Sequence, residues 1–80
     1  MSINKKIILD VRTADEFSQG SIPGSINIPL QDLQQNINVL PKDGHVTVVC
    51  ESGGRAMMAE MILKQQGFSN IECGGSWRSL

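Results

Sequence analysis

Val46-Thr47-Val48-Val49-Cys50-Glu51-Ser52-Gly53-Gly54-Arg55, continuing through Ala56-Met57-Met58-Ala59-Glu60-Met61-Ile62-Leu63, is the stretch that decides the fold. Four consecutive residues, Val46 to Val49, include three valines and a threonine, all β-branched, and they read as a buried strand that delivers the backbone to Cys50. Two glycines follow, and from Arg55 to Gln66 the chain is rich in Ala, Met, Glu, Leu, Lys and Gln. Gly67 stands where a helix would be closed by a left-handed residue. The order strand, glycine-rich loop, helix places Cys50 at the carboxyl end of a strand, where open α/β sheets hold their ligands.

Working outward, the same alternation recurs. Ile7-Ile8-Leu9-Asp10-Val11 reads as a second buried strand. Thr13 with Glu16 three residues on is a capping box that starts a short helix, which Gly20 stops before the Pro23-Gly24 turn. Ser25-Ile26-Asn27-Ile28 is a brief strand ahead of Pro29. Leu30, Leu33 and Ile37 recur at spacings of three and four, which predicts a helix to about Asn36. Pro41-Lys42-Asp43-Gly44 is a turn, and Asn70-Ile71-Glu72-Cys73 a last strand ended by Gly74-Gly75. The expected architecture is a single α/β domain over residues 1–80, with a mainly parallel sheet of four to five strands flanked by helices in three layers. Met57, Met58 and Met61 are expected to pack in the core with Ile62 and Leu63.

Composition narrows the partners. With 80 residues, one domain is the limit, and its stability margin is thin. Apolar residues make up 40% and charged residues 19%, a globular balance, and a net charge of −1 provides no footprint for nucleic acid. Asp10 ends the apolar run at Ile7-Ile8-Leu9 well short of a secretory segment, and no stretch approaches a membrane span. The expected location is the cytoplasm, or the periplasm if an N-terminal signal has been removed. Both cysteines are expected to be reduced. No cluster of His and Cys has metal-ligand spacing.

The chemistry is expected at Cys50. The helix that follows brings free backbone N–H groups and the positive end of its dipole. Gly53 and Gly54 allow the backbone of Glu51, Ser52, Gly53 and Gly54 to curl so that successive N–H groups point inward as a nest. Such surroundings favour a thiolate, the nucleophilic form. Arg55 adds a fixed charge able to hold an oxyanion. The competing reading is a buried cysteine ending a strand with an ordinary Gly-Gly turn.

The stretch from Cys50 to Arg55, with four residues between, resembles the active-site loop of the rhodanese homology domain. Asp10-Val11-Arg12 with Glu16-Phe17 looks like that family's first block, and Gly20-Ser21-Ile22-Pro23-Gly24-Ser25-Ile26-Asn27-Ile28-Pro29 like its second. Gly67-Phe68-Ser69-Asn70-Ile71 and Gly74-Gly75 match the remainder, and Ser21 stands where the family usually has His. The resemblance, which includes the small phage-shock type, implies a thiosulfate sulfurtransferase. In that reading Cys50 is the catalytic nucleophile, Glu51, Ser52, Gly53, Gly54 and Arg55 bind the substrate, and no cofactor takes part. Donors are thiosulfate or a persulfide; acceptors are cyanide, a thiol or a partner protein in a sulfur relay.

Asp10 and Arg12 either act behind the cradle or fix the first loop as an ion pair. Glu51 is expected at the pocket mouth, where its charge would disfavour thiosulfate. His45 is expected to face solvent at the far end of its strand. Cys73 is expected to pack at a strand end or to serve as a resolving thiol, and Trp77 to be a core or lid contact. A cysteine phosphatase is the rival enzyme, but its loop has five intervening residues rather than the four found here. A binding module without catalysis is the rival outside enzymes.

Overall fold

The computed structural model describes residues 6–79 of the 1–80 expected to form one domain. The elements are β1 (Lys6–Asp10), α1 (Ala14–Ser18), β2 (Ile26–Asn27), 3₁₀ turns at Leu30–Asp32 and Ile37–Val39, β3 (His45–Cys50), α2 (Gly54–Gln65), β4 (Ile71–Ser76) and a 3₁₀ turn at Trp77–Ser79. The four strands are all parallel, in the order β2-β1-β3-β4. The two β-branched runs of the sequence therefore lie side by side at the centre, with Leu9 opposite Val48 and Asp10 opposite Val49.

Strand side chains alternate between faces. Leu9, Val11, Val46, Val48, Cys50 and Ile71 join one buried cluster with Ala56, Ala59 and Leu63 of α2. Asp10 and Val49 are just as buried but lie outside that cluster, on the opposite face. Parallel alignment makes the strand tips converge on one edge, so the chain just after Asp10 and just after Cys50 meets there: the Val11 N–H donates to the Val49 carbonyl at 3.0 Å.

Both ends of the short α1 and the far end of α2 follow local rules. Thr13 accepts from the Glu16 N–H at 3.2 Å while its own N–H donates to Glu16 Oε1 at 2.9 Å, completing the capping box. At the end of α2, Gly67 has φ +98°, its N–H donates to the Lys64 carbonyl, and the Phe68 N–H reaches back to the Leu63 carbonyl. That is a Schellman closure, with Phe68 and Leu63 both buried in the same core.

Three expectations are corrected. The run containing Leu30, Leu33 and Ile37 is not a helix but two separate 3₁₀ turns, Leu30–Asp32 and Ile37–Val39. The Asp32 carbonyl, which a helix would bond to the N–H of residue 36, instead accepts from the Asn36 side-chain amide at 2.9 Å. Gly74-Gly75 does not end the last strand. β4 continues to Ser76 with a bulge, since Val48 pairs with Cys73 but Val49 pairs with Gly75. Gly75, at φ +78°, takes the left-handed conformation that the irregularity needs. Cys73 accordingly lies within the strand, half-buried against the core, rather than at its tip.

The methionines are the third correction. Met57, Met58 and Met61 are 61%, 55% and 61% exposed. α2 docks instead through Ala56, Ala59 and Leu63, whose small alanines bring the helix close to the sheet and turn the methionines outward. Substitutions separate the two faces. Ala59→Leu should overpack the interface and cost about 1–3 kcal/mol in urea unfolding, whereas Met61→Gln should change stability by less than about 0.5 kcal/mol. A large loss for Met61→Gln would contradict the outward assignment.

Candidate active site

Cys50 is the last residue of β3 and is 1% exposed. Its Sγ accepts a hydrogen bond from the Gly53 N–H at 2.8 Å. Gly53, at φ +102°, is the left-handed residue that turns the loop back over the sulfur and leads into α2. The N-terminus of this 12-residue helix therefore opens beside the thiol, adding a favourable field for negative charge on sulfur. The loop rests on the β4 bulge, since a Cβ built on Gly53 would sit 3.5 Å from the Gly75 Cα. Cys50 also belongs to the apolar cluster, so it is covered by hydrocarbon on one side and met by an amide on the other.

Arg55 stands at the start of α2 but does not project alone. Its Nη1 and Nη2 donate to the two carboxylate oxygens of Glu16 at 2.8 and 3.0 Å, a bidentate pair joining residues 39 apart. Glu16 thus both caps α1 and holds Arg55, a role that the capping pattern alone does not reveal. The Arg55 guanidinium first, and then the Thr13 backbone N–H, lower the Glu16 pKa to about 2.

Behind this pair lies the most buried charge in the described residues. Arg12 and Asp10 are 2% and 0% exposed. Arg12 Nε lies 3.0 Å from each Asp10 oxygen, Nη2 donates to Asp10 Oδ2 at 2.8 Å and to the Gly20 carbonyl at 2.7 Å, and Nη1 donates to the Glu16 carbonyl at 3.3 Å. Asn27 of β2 donates to the carbonyls of both Asp10 and Arg12, fixing the loop from the other side. Arg12 and Asp10 thus form a buried ion pair whose guanidinium also reaches the Gly20 and Glu16 carbonyls.

Glu51 is not a free carboxylate at the mouth. Its Oε1 accepts from Trp77 Nε1 at 3.1 Å and lies 3.7 Å from Arg12 Nη1, and its Oε2 pairs with Arg78 Nη1 at 3.0 Å. The Trp77 ring is flanked by two guanidiniums, with Arg12 4.4 Å and Arg78 5.2 Å from its centroid. Trp77, expected as a core or lid contact, covers Glu51 here, and Arg78 is the contributor that sequence patterning missed, because the 3₁₀ turn carrying both is brought to the loop by the β3–β4 pairing of Cys50 with Ser76.

Two depressions flank the Arg55–Glu16 pair. One, of about 230 Å³, is lined by Val11, Thr13, Pro29, Leu30, Gln31 and Arg55. The other, of about 290 Å³, is lined by Arg12, Glu16, Gln19, Glu51, Trp77 and Arg78. A larger hollow of about 430 Å³ beside β2, walled by Ile26, Pro29 and Val39 among others, contains no nucleophile and is not the chemical site. Among the described residues no three His, Cys, Asp or Glu side chains converge as a metal site. His45 pairs with Glu72 at 2.8 Å, at the opposite end of β3 from Cys50. Both cysteines are free; Cys73 is opposite Val48, two residues short of Cys50. That geometry sets the two Cα atoms roughly 8 Å apart, too far for a disulfide without backbone movement.

Two tests follow from these pairs. Arg12→Met leaves Asp10 buried without its partner and should destabilise the domain by about 3–5 kcal/mol in urea unfolding; Asp10→Asn/Arg12→Met should recover part of that loss. Full additivity of the two single losses would contradict the pairing. The Glu16 carboxyl titrates in the fold at about 2, below its ordinary 4.5. Its contribution to stability is therefore complete above about pH 4.5 and is lost as the pH falls toward 2. Stability measured across that window should fall less steeply in Glu16→Gln than in the parent chain; equal slopes would remove the pairing from the acid response.

The rhodanese-like domain family model matches residues 1–75. A sulfurtransferase from Allochromatium vinosum is 34% identical over 65 residues, 81% of this chain and 61% of that protein. The thiosulfate sulfurtransferase PspE of Escherichia coli is 31% identical over 74 residues, 90% of this chain and 71% of that one. Among solved structures, a rhodanese with anions from E. coli superposes with a TM-score of 0.86 at 30% identity, covering 94% of this chain and 91% of its own. The chain spans 35% and 61% of the length of two of the curated relatives it matches. The parallel four-stranded sheet, the loop from Cys50 to Arg55 and the match along nearly the whole chain place this protein in the rhodanese-like domain family.

Proposed function

We propose that the chain acts, as a single domain, as a sulfurtransferase that carries sulfane sulfur on Cys50. The observation that carries this reading is the Gly53 N–H aimed at the Cys50 Sγ beside the N-terminus of α2. In the first half-reaction the Cys50 thiolate attacks the outer sulfur of thiosulfate. A sulfur–sulfur bond forms to Sγ, the bond between the two sulfurs of thiosulfate breaks, and its electron pair leaves with sulfite. In the second, a thiophile such as cyanide or a thiol attacks the terminal sulfur of the persulfide, and the thiolate of Cys50 is released. The cycle is covalent, with ping-pong kinetics. Charge on sulfur is met by a preorganised amide and a helix terminus, which need no rearrangement as the charge moves outward by one atom.

The chain's own residues divide the work. Cys50 is the nucleophile, and the backbone from Glu51 to Gly54 forms the cradle. Arg55, anchored by Glu16, sets the first turn of α2 and offers its remaining N–H groups to the donor. Asp10 and Arg12 hold the neighbouring loop in place. A persulfide donor fits the same steps with a thiolate as leaving group, and a protein thiol as acceptor makes the domain a relay between proteins. A binding module requires neither the thiol nor the amide contact. Two free thiols suit a reducing compartment, which favours the cytoplasm; among the described residues no helix is long and apolar enough to cross a membrane.

Intact-mass measurement after thiosulfate or persulfide treatment tests the assignment. The chain should gain one sulfur atom, which cyanide removes, and Cys50→Ser should gain none. No gain in the parent chain, or an equal gain in Cys50→Ser, would contradict it.

A further inference from the structure

Among the described residues, each cation around the cradle is paired with a carboxylate. Arg12 is bound to Asp10, Arg55 to Glu16 and Arg78 to Glu51. Apart from Asp10, buried beneath, these are the charged side chains lining the two depressions that flank the loop. Three guanidiniums against three carboxylates leave the side-chain charge at zero, and an ionised Cys50 makes the site net negative. Backbone amides and the helix terminus still stabilise charge on the sulfur itself, at contact distance. Among the described residues, however, the mouth supplies no surplus positive charge to draw in a multiply charged anion, and long-range attraction depends on that surplus.

The three pairs are not equivalent. Arg12–Asp10 is buried and holds the first loop, and Arg55–Glu16 ties α2 to α1. Arg78–Glu51 lies at the rim, with Arg78 66% exposed, and its carboxylate is on the residue directly after the nucleophile. It is thus the pair whose change alters the charge at the mouth with the least disturbance of the cradle. The Trp77 N–H bond to Glu51 fixes that carboxylate beside the loop, so its charge has a defined place.

We propose that Glu51 and Arg78 determine donor specificity, setting the mouth to favour a monoanionic sulfane donor over a dianionic one such as thiosulfate. The inference rests on the sulfurtransferase reading above. Both donor types undergo the same displacement. With a thiosulfonate monoanion, the new bond forms between Cys50 Sγ and the terminal sulfur, and the sulfinate leaves with the electron pair, just as sulfite leaves from thiosulfate.

The probes are thiosulfate, a dianion, and methanethiosulfonate, a monoanion, and the readout is the second-order rate of persulfide formation at low ionic strength. Intrinsic reactivity of the two donors cancels when their ratio is compared between variants. Glu51→Gln keeps an oxygen to accept from Trp77 while freeing Arg78, and should raise the thiosulfate-to-methanethiosulfonate ratio about twofold, the Boltzmann factor for one unit charge across about 10 Å of largely aqueous mouth. Arg78→Gln leaves Glu51 without its exposed partner and should lower the ratio by about the same factor, and high salt should reduce both effects. Opposite shifts in the two variants support the proposal. A ratio that stays constant, or moves the same way in both, overturns it while sulfur loading continues to support the transferase reading. Failure of both donors to load the parent chain overturns both readings.

Discussion

One amide facing one sulfur organises this molecule. A cysteine at the end of a buried central strand would ordinarily be a small apolar residue in the core, and Cys50 is covered like one. The Gly53 N–H at 2.8 Å changes its meaning, because an amide directed at sulfur stabilises negative charge there. That contact needs the chain to reverse within three residues, which Gly53 permits by its left-handed backbone. It also needs a surface for the loop to rest on, which Gly75 provides in the β4 bulge. The bulge and the loop are thus two halves of one device, built at the carboxyl edge of a parallel sheet.

The charges around the cradle form a second tier that locks the loops to one another. Arg12 is shared among Asp10, the Gly20 and Glu16 carbonyls and the Trp77 ring, so β1, α1 and the final 3₁₀ turn meet at one guanidinium. Glu16 passes the constraint on to Arg55, and Glu51 passes it to Arg78. Burying an ion pair is not a general route to stability, since desolvation offsets the attraction. Its value here is geometric, because Asp10–Arg12 fixes the loop after β1, while Glu16–Arg55 and Glu51–Arg78 fix segments distant in sequence to one another. The consequence is that, among the described residues, the charged side chains beside Cys50 are matched pair by pair.

Much of this was legible in the residues themselves. The β-branched run before Cys50, the Thr13–Glu16 capping box and Gly67 as a helix stop each rest on rules that act over a few residues, and each appears as read. The misreadings arose where a local pattern had two physical outcomes. Leu30, Leu33 and Ile37 have helical spacing, but the Asn36 amide took the carbonyl that would have continued a helix. The methionines of α2 are apolar, yet alanines were sufficient to dock the helix, and the longer side chains were left outside. Gly74-Gly75 could end a strand or bulge it, and pairing with β3 settled the matter. Least legible were the Glu16–Arg55 and Glu51–Trp77–Arg78 contacts, because they join segments whose proximity only the sheet order creates.

The account depends most on the amide–sulfur contact, and that contact has its own observable. In an amide NMR spectrum the Gly53 proton should resonate downfield and exchange slowly in the parent chain, and it should move upfield and exchange faster in Cys50→Ala, with Gly67 as an unaffected reference. A Gly53 signal identical in the two proteins would mean that its N–H does not face the sulfur, and the cradle built upon it would be wrong.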